Sequence, residues 1–343
     1  MRRLFLLITA AVSMAALAVP GTLAAQAGPV QRGQHRTPYT FAVIGDIPYG
    51  EAEVAVFSRA VDQINADPDV ARVDHLGDIK SGSTVCSDDY FARIRSNFDR
   101  FADPLVYTPG DNEWTDCHRP TNGAYNPLER LDQIRDTFFP RPGRTLGQRG
   151  ERVSSQARMG VPENVRFSRG GVSFAAVHVV GSNNGLAPWT GQTAATPEQT
   201  AEVLGRTAAG IQLISDTFRY AKRHHQRGVV LLTQADMFDP TVTSPQFANY
   251  FAFQPIVAAI ARESRNFDGQ VYLFNGDSHV YNSDQPLSTA SPWRSFYGIQ
   301  QPADNLSRIT VNGSDNADEY LKVIVHRRGP QVLTWDRVPL RTS

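Results

Sequence analysis

Val73-Asp74-His75-Leu76-Gly77-Asp78 is an apolar-leaning run that ends in a glycine and then a carboxylate. The same cadence closes Phe41-Ala42-Val43-Ile44-Gly45-Asp46, Leu105-Val106-Tyr107-Thr108-Pro109-Gly110-Asp111 and Val271-Tyr272-Leu273-Phe274-Asn275-Gly276-Asp277. These four are every Gly-Asp step in the chain, and each follows a strand-like run. Residues just past the carboxyl ends of strands line the ligand crevice of an open α/β sheet. Four acids delivered to one rim repel one another unless something positive lies between them, and hard cations take oxygen ligands. A single Gly-Asp step is ordinary turn chemistry. All four together, with His279 two residues past the last, point to a cation.

Between these steps the hydrophobic period changes. Val54, Phe57, Val61 and Ile64 fall at helical spacing after Asp46, and Asp67-Pro68 stops the run. After Asp78, Ser87-Asp88-Asp89 opens a helix carrying Phe91, Ile94, Phe98 and Phe101, and Asp103-Pro104 ends it. A long polar loop after Asp111 leads to Pro127-Leu128 and then Leu131, Ile134 and Phe138. Strand followed by helix, repeated, is the signature of a sheet covered by helices. Residues 140–162 read as a surface loop, and Val165–Ser168 with Gly171–Val180 as a hairpin turning at Arg169-Gly170. A helix around Ile211, Ile214, Phe218 and Ala221 precedes a strand at Val229–Thr233. Another over Phe247–Arg262 precedes Gln270–Phe274, and Leu321–Val325 with Val332–Trp335 form a closing hairpin. No internal repeat or Pro/Ser-rich linker divides the chain, so residues 39–343 are expected to form one domain.

With 343 residues and 41% apolar content the chain can bury a large core, and is neither disordered nor a multi-span membrane protein. Its 34 basic and 34 acidic residues balance, which leaves no field for nucleic acid or acidic lipid. Residues 1–27 read as a cleavable export signal: Arg2-Arg3, the apolar run Leu4–Val19, then Ala25-Gln26-Ala27. The paired arginines also have a twin-arginine flavour, and an uncleaved anchor is the alternative, though the run is short for a span. Residues 28–38 read as a flexible leader. The expected location is therefore secreted or cell-envelope (periplasmic), with no membrane span once the signal is removed. In an exported chain the two cysteines, Cys86 and Cys117, favour a disulfide tying the loop after Asp78 to the loop after Asp111; two buried thiols are the alternative.

The order of these motifs, from Phe41 to about His279, resembles the calcineurin-like metallophosphoesterases, which include the purple acid phosphatases. That family's motifs run Asp-x-His, Gly-Asp, Gly-Asn-His-Asp/Glu, a His after a strand, and Gly-His-x-His. The resemblance implies a four-layer αββα sandwich of two mixed β-sheets flanked by helices, an α/β fold, with a two-metal site at the sheet ends. Asp46 then resembles the first metal-binding Asp, with Pro48 where the family has His. Asp78 fits the second motif and would bridge both metals. Gly110-Asp111-Asn112-Glu113 places Asp111 at the ligand Asn and Asn112 at the His that helps the leaving group depart. Gln234 stands where a ligand His is expected, and Gly276-Asp277-Ser278-His279 keeps only its second imidazole.

Imidazoles are thus exchanged mainly for oxygen donors: Asp46, Asp78, Asp111, Asp277 and Gln234, with His279, and Asp236 as a further carboxylate that could turn inward. That set favours two divalent ions of the Mg²⁺, Mn²⁺ or Ca²⁺ kind, with Fe or Zn still open. The expected reaction is hydrolysis of a small-molecule or exposed phosphoester, the metals activating water and clamping the phosphoryl oxygens. Asn112 can hold a phosphate oxygen but has no acidic proton, so leaving groups that need no protonation, such as aryl phosphates or pyrophosphates, are favoured. Lys80 could neutralise a phosphate oxygen or be a plain rim lysine. Asn183, in Gly181-Ser182-Asn183-Asn184, could offer an amide to substrate or belong to a turn. His178 reads as a packed strand residue, His224-His225 as a solvated helix end, and Trp114 and Tyr125 as an aromatic wall or as core.

Two rivals stand beside this. A serine hydrolase could be read from Gly276-Asp277-Ser278, but that block comes late and has its His adjacent, and Gly171–Ala175 lies within a strand and makes a poor nucleophile elbow. The stronger rival is a non-catalytic protein of the same fold that binds metal or a phosphorylated ligand.

Overall fold

The computed structural model describes residues 38–340; the expected export signal, and the leader as far as Thr37, lie outside the described residues. Each Gly-Asp step follows a strand, and those strands are β1 (Tyr39–Ile44), β2 (Val70–His75), β3 (Leu105–Tyr107) and β8 (Gln270–Asn275). The remaining strands are β4 (Ser154–Gln156), β5 (Val161–Arg169), β6 (Val172–Ala176), β7 (Gly228–Leu232), β9 (Asn282–Asp284), β10 (Leu306–Thr310), β11 (Glu319–Val325) and β12 (Leu333–Pro339). The α-helices among the described residues are α1 (Glu51–Ala66), α2 (Asp88–Phe98), α3 (Pro127–Phe138), α4 (Gly181–Asn184), α5 (Pro197–Arg223), α6 (Gln254–Arg265) and α7 (Pro292–Phe296).

Two mixed sheets result, one ordered β12-β11-β1-β2-β3 and the other β4-β5-β6-β7-β8-β10-β9. β1, β2 and β3 run parallel, with Ile44 opposite His75 and His75 opposite Tyr107. Parallel strands in that register end on the same edge, so the loops carrying Asp46, Asp78 and Asp111 leave the sheet together. β8 lies between parallel neighbours β7 and β10 in the second sheet and brings Asp277 to the corresponding edge there.

Three apolar layers hold the four structural ones. Phe57, Val61, Ile94 and Phe98 cover Ala42, Ile44 and Val73 on one outside face, and Leu213, Phe218, Val257 and Ile260 cover Ala175, Leu231 and Leu273 on the other. Between the sheets, Phe41, Val43 and Leu76 meet Phe174, Leu232, Phe274 and Ile309. Strands buried on both faces read as continuous apolar runs, which is why these strands and their covering helices were legible in the sequence; the two-sheet arrangement itself was what the family resemblance implied. Asp74, inside the opening motif, is a core residue rather than a rim acid. It takes both nitrogens of a fork from Arg72 at 2.8 Å, and the guanidinium lies over Phe174 and Phe167 at 4.2 and 4.3 Å.

Some boundaries depart from the sequence reading. The strand expected to reach Val180 ends at Ala176, and beyond it the His178 N–H turns to the Asn164 side chain at 2.7 Å. The helix expected over Phe247–Arg262 is two 3₁₀ turns, Phe247–Asn249 and Phe251–Phe253, followed by α6. Pro255 explains the break, because proline suits the first turn of a helix and not its interior. The 140–162 loop contains β4, an edge strand on β5. β10 escaped notice because its central residue is Arg308, fully buried by its ion pairs with Asp236 and Asp284. Cys86 and Cys117 are bonded, with Cα atoms 5.9 Å apart, joining the two expected loops. Among the described residues no helix is long and apolar enough to cross a membrane.

His75 braces the acid-bearing loops from below. Its Nε2 lies 2.6 Å from the Ile47 carbonyl, and its Nδ1 accepts the Gly77 N–H at 3.2 Å, so the ring is the neutral Nε2–H tautomer. Burial pulls its pKa from 6.5 down to about 4. The unfolded chain therefore takes up a proton below pH 6.5 that the folded chain refuses until about pH 4. Stability from this group is full above that window and falls as pH drops through it, by on the order of 3 kcal/mol. The raised carboxyls of the acid cluster slope the other way, so the His75 slope should appear in the difference in urea stability between the metal-free wild type and a His75→Gln variant, which should shrink as pH falls from neutral to acid. A difference that does not change with pH would clear His75 of any acid sensitivity.

Candidate metal centre

The four carboxylates converge. Ligand atoms of Asp46, Asp78 and His279 lie within 4.8 Å of one another, as do those of Asp78, Asp111 and Asp277, so Asp78 belongs to both sets. Asp46, Asp78 and Asp111 are buried and Asp277 is half-buried. The glycines of the motifs make this approach possible. A Cβ on Gly276 would stand 2.1 Å from Asp46 Oδ2, and one on Gly110 would stand 2.1 Å from Asp78 Oδ1. At Gly110 and Gly276 the neighbouring carboxylate occupies the space of the missing side chain, whereas a Cβ on Gly77 would strike the Gly110 N at 2.6 Å and one on Gly45 would press on Leu76 and Val311.

Backbone strain gathers at the same rim. Asp46, Asp78, Asp277 and His279 all have positive φ, and so do Ser182, Asn183 and Asn184, seven of the ten such non-glycine residues described. The last three form a single left-handed turn within α4. The left-handed region costs most side chains about 1–2 kcal/mol and Asp and Asn less, and outliers of this kind persist where surrounding structure over-determines them. Here Gly181 N–H donates to Gln234 Oε1 at 2.7 Å, and the Ser182 hydroxyl lies 2.9 Å from both Asp111 Oδ2 and Asp116 Oδ1. Asn183 Oδ1 accepts the Ala252 N–H at 3.1 Å, and Asn184 Oδ1 accepts from Arg206 at 2.6 Å.

The carboxylates lack a matching cation. His279 Nε2 lies 3.3 Å from Asp46 Oδ1; burial opposes its protonation, but Asp46 raises its pKa overall. Desolvation, then the charge of Asp111, pushes both Asp78 and Asp277 well above the usual carboxylate range. A cluster of oxygen donors that repel one another, with one imidazole, is a donor set that fits divalent cations.

Several expected roles change when the side chains are placed. Gln234 is at the centre, but its Oε1 is held by the Gly181 N–H, so its amide nitrogen faces Asp78 Oδ2 and Asp111 Oδ1, each at 3.2 Å. It donates to two acids and presents no oxygen to a metal. Asn112 donates its backbone N–H to Asp78 Oδ1 at 3.1 Å and its carboxamide to Asp78 Oδ2 at 2.8 Å and Tyr49 OH at 3.1 Å. It clamps Asp78, and its amide hydrogens are not free for a phosphate. Lys80 is not on the rim: fully buried, it donates to the Ser81 and Asn112 carbonyls at 2.8 Å each, and burial lowers its pKa to about 8. Asn183 faces a cleft, with its carboxamide oxygen committed to Ala252. Asp236 turns away to Arg308 at 2.5 Å, and only its backbone N–H reaches Asp277, at 3.1 Å.

Trp114 and Tyr125 resolve to packing positions: Trp114 is buried against His178, and Tyr125 packs on the α1–α3 core. His178 is a packed residue paired with Glu163 at 2.7 Å, and His224 caps α5. Sequence reasoning missed Tyr49, whose ring meets His279 edge-on at 4.9 Å, and Ser182. Position three past Asp46, inside the first motif's loop, was the available signal for Tyr49.

No family model matches the chain, and no curated protein matches it. Solved structures similar to it include the sulfate thiohydrolase SoxB of Thermus thermophilus, in complex with glycerol (14% identity, 84% of this chain and 42% of that one, TM-score 0.40). GAP50, described as the anchor in the inner membrane complex of Plasmodium, matches at 8% identity over 89% of this chain and 90% of that one, TM-score 0.41. The purple acid phosphatase PPD1 from yellow lupin (Lupinus luteus) seeds matches at 12% identity over 88% and 53%, TM-score 0.44. The chain spans about half or less of the thiohydrolase and of the phosphatase.

Proposed function

We propose that this chain is an exported, divalent-metal-dependent phosphoesterase that hydrolyses a phosphate mono- or diester. One observation carries the reading: two ligand sets, Asp46–Asp78–His279 and Asp78–Asp111–Asp277, share Asp78 within 4.8 Å spans, the arrangement needed to hold two ions side by side. Ions bound there would supply an activated water and draw charge from the phosphoryl oxygens. The protein's own residues hold the rest in place. Asn112 and Gln234 fix both oxygens of Asp78, and Ser182 fixes Asp111. Tyr49 stands between Asn112 and His279 with its phenol pKa raised, by burial first and then by Asp78. It therefore stays protonated and can donate a hydrogen bond to a substrate oxygen. A phenol held so far from ionising is a poor proton source, which keeps aryl leaving groups favoured over alkyl ones.

A second reading, metal or phospho-ligand binding without turnover, is favoured by the two carboxamides, Gln234 and Asn112, that stand at positions read as histidine in the motif order. Metal analysis separates the two. Chelated protein, reconstituted with Mg²⁺, Mn²⁺ or Ca²⁺ and analysed by mass spectrometry, is expected to regain up to two ions and phenyl phosphate hydrolysis together. Metal uptake with no hydrolysis across a panel of esters would support the binding reading, and no uptake would reduce the four motifs to turns.

A further inference from the structure

The acid rim opens into a cleft of about 880 Å³. Gly181, Ser182 and Asp277 belong both to the cleft lining and to the acid cluster. The volume lies in the range of pockets for whole organic ligands, roughly 300–1,000 Å³, and far exceeds what a phosphoryl group fills. Leu186 and Pro188, ahead of α5, and Val242, Tyr250, Phe251 and Phe253, ahead of α6, give it an apolar and aromatic wall. Phe251 is 45% exposed and Val242 is 38% exposed, so large apolar surface is left open at the mouth, a feature that marks binding sites.

The wall is preorganised. The Tyr250 ring lies 5.9, 5.8 and 5.7 Å from those of Phe253, Trp293 and Phe296, and Asn183 ties the left-handed turn to Ala252. The same turn holds Asp111 through Ser182, so wall and acids share one strut. Charge narrows the occupant further. Among the described residues no lysine, arginine or histidine lines the cleft, and the charged ones that do are Asp236, Asp239 and Asp277.

We propose that this cleft seats the leaving group of the phosphate ester, and that this group is uncharged and aromatic or otherwise largely apolar. The inference rests on the phosphoesterase reading for the chemistry at the floor. In that reaction a bond forms from the water oxygen to phosphorus and the P–O bond to the leaving alcohol's oxygen breaks; one of the water's two protons stays with the phosphate and the other ends on the released alcohol. Pyrophosphates, which the motif order alone places beside aryl phosphates, drop out here together with polyphosphates and nucleic-acid backbones, since a second anion in the cleft would meet Asp239 and, among the described residues, no cation.

The test pairs binding with turnover on metal-loaded protein. Titration calorimetry with 2-naphthylphosphonate and phenylphosphonate, which cannot be hydrolysed, is expected to show about tenfold tighter binding of the larger ring. A carboxylate added to the naphthyl ring should erase that gain. Ala248→Trp and Phe251→Ala, both at exposed positions of the cleft, should each reduce the naphthyl-to-phenyl ratio several-fold. The kcat/KM ratio for the matching phosphate esters should follow, chiefly through KM. Equal binding of the two phosphonates, or ratios unmoved in both variants, overturns the cleft assignment whatever the turnover. A tenfold ratio that both variants lower, with no hydrolysis of either ester, keeps the cleft and removes the phosphoesterase reading.

Discussion

Asp78→Asn is expected to strip the centre of metal and of hydrolysis while leaving the chain folded. Asp78 is the residue common to both ligand sets, so its loss weakens both positions at once. Losing a supporting residue behind a metal ligand already lowers affinity about 10–100-fold; removing a carboxylate shared by two ions should exceed that, with turnover falling on the order of a thousandfold. Stability should behave differently. The Asn side chain must turn its NH₂ toward either the Asn112 backbone N–H or the carboxamides of Asn112 and Gln234, all of which now donate to Asp78. One such conflict costs about 1–3 kcal/mol. Against this, the substitution removes one charge from a cluster in which Asp111, Glu113, Asp46 and Asp277 all act against it, a relief of similar size. Metal-free stability is therefore expected to change by less than about 2 kcal/mol. Added metal should stabilise wild type by about 2.7 kcal/mol at a hundred times Kd and the variant hardly at all. Chemical denaturation with and without chelator, beside metal analysis, reads all of this. A variant that keeps its metals would remove Asp78 from the centre.

What the sequence showed about this centre was set by strands, and what it hid was set by contacts between distant loops. Gly45-Asp46, Gly77-Asp78, Gly110-Asp111 and Gly276-Asp277 are local signals, because a strand and its following turn are written in adjacent residues. The donor face of Gln234 is not local: it follows from the N–H of Gly181, 53 positions away. Lys80 looks like a rim cation in one dimension and is buried in three, because the carbonyl of Asn112 comes within 2.8 Å of it. Asp236 looked like a further ligand until Arg308, 72 positions on, claimed it at 2.5 Å. The left-handed turn is spelled Ser182-Asn183-Asn184, and Asn is among the residues that tolerate that conformation, so the letters allowed the turn without requiring it. The cleft had no sequence signature, since its walls come from the separate approaches to α5 and α6.

Gly276→Ala is expected to damage the centre through one methyl group. The added Cβ would lie 2.1 Å from Asp46 Oδ2 and 3.2 Å from its Cγ, a separation that carbon and oxygen do not tolerate. Asp46 has little room to yield: it is fully buried, its two oxygens accept the Asp277 N–H at 3.1 and 3.2 Å, and Oδ1 faces His279. Forcing it aside displaces a ligand oxygen and disturbs its neighbour Asp277 in the same motion. Overpacking of this kind costs about 1–3 kcal/mol, which a domain of ordinary stability survives, whereas a misplacement of about 1 Å at a reacting centre costs on the order of a hundredfold in rate. Gly205→Ala supplies the matched control. Gly205 lies inside α5, and a Cβ there would meet nothing within 4 Å. That change should stabilise the chain by about 0.5–1 kcal/mol, since alanine loses less backbone freedom in a helix, and should leave phenyl phosphate turnover alone. Melting curves and hydrolysis of the two variants side by side therefore distinguish a methyl that strikes a carboxylate from a methyl that enters solvent. Should Gly276→Ala retain wild-type metal content and rate, Asp46 would not be packed against the glycine as the acid cluster requires, and the four-carboxylate centre would have to be redrawn without it.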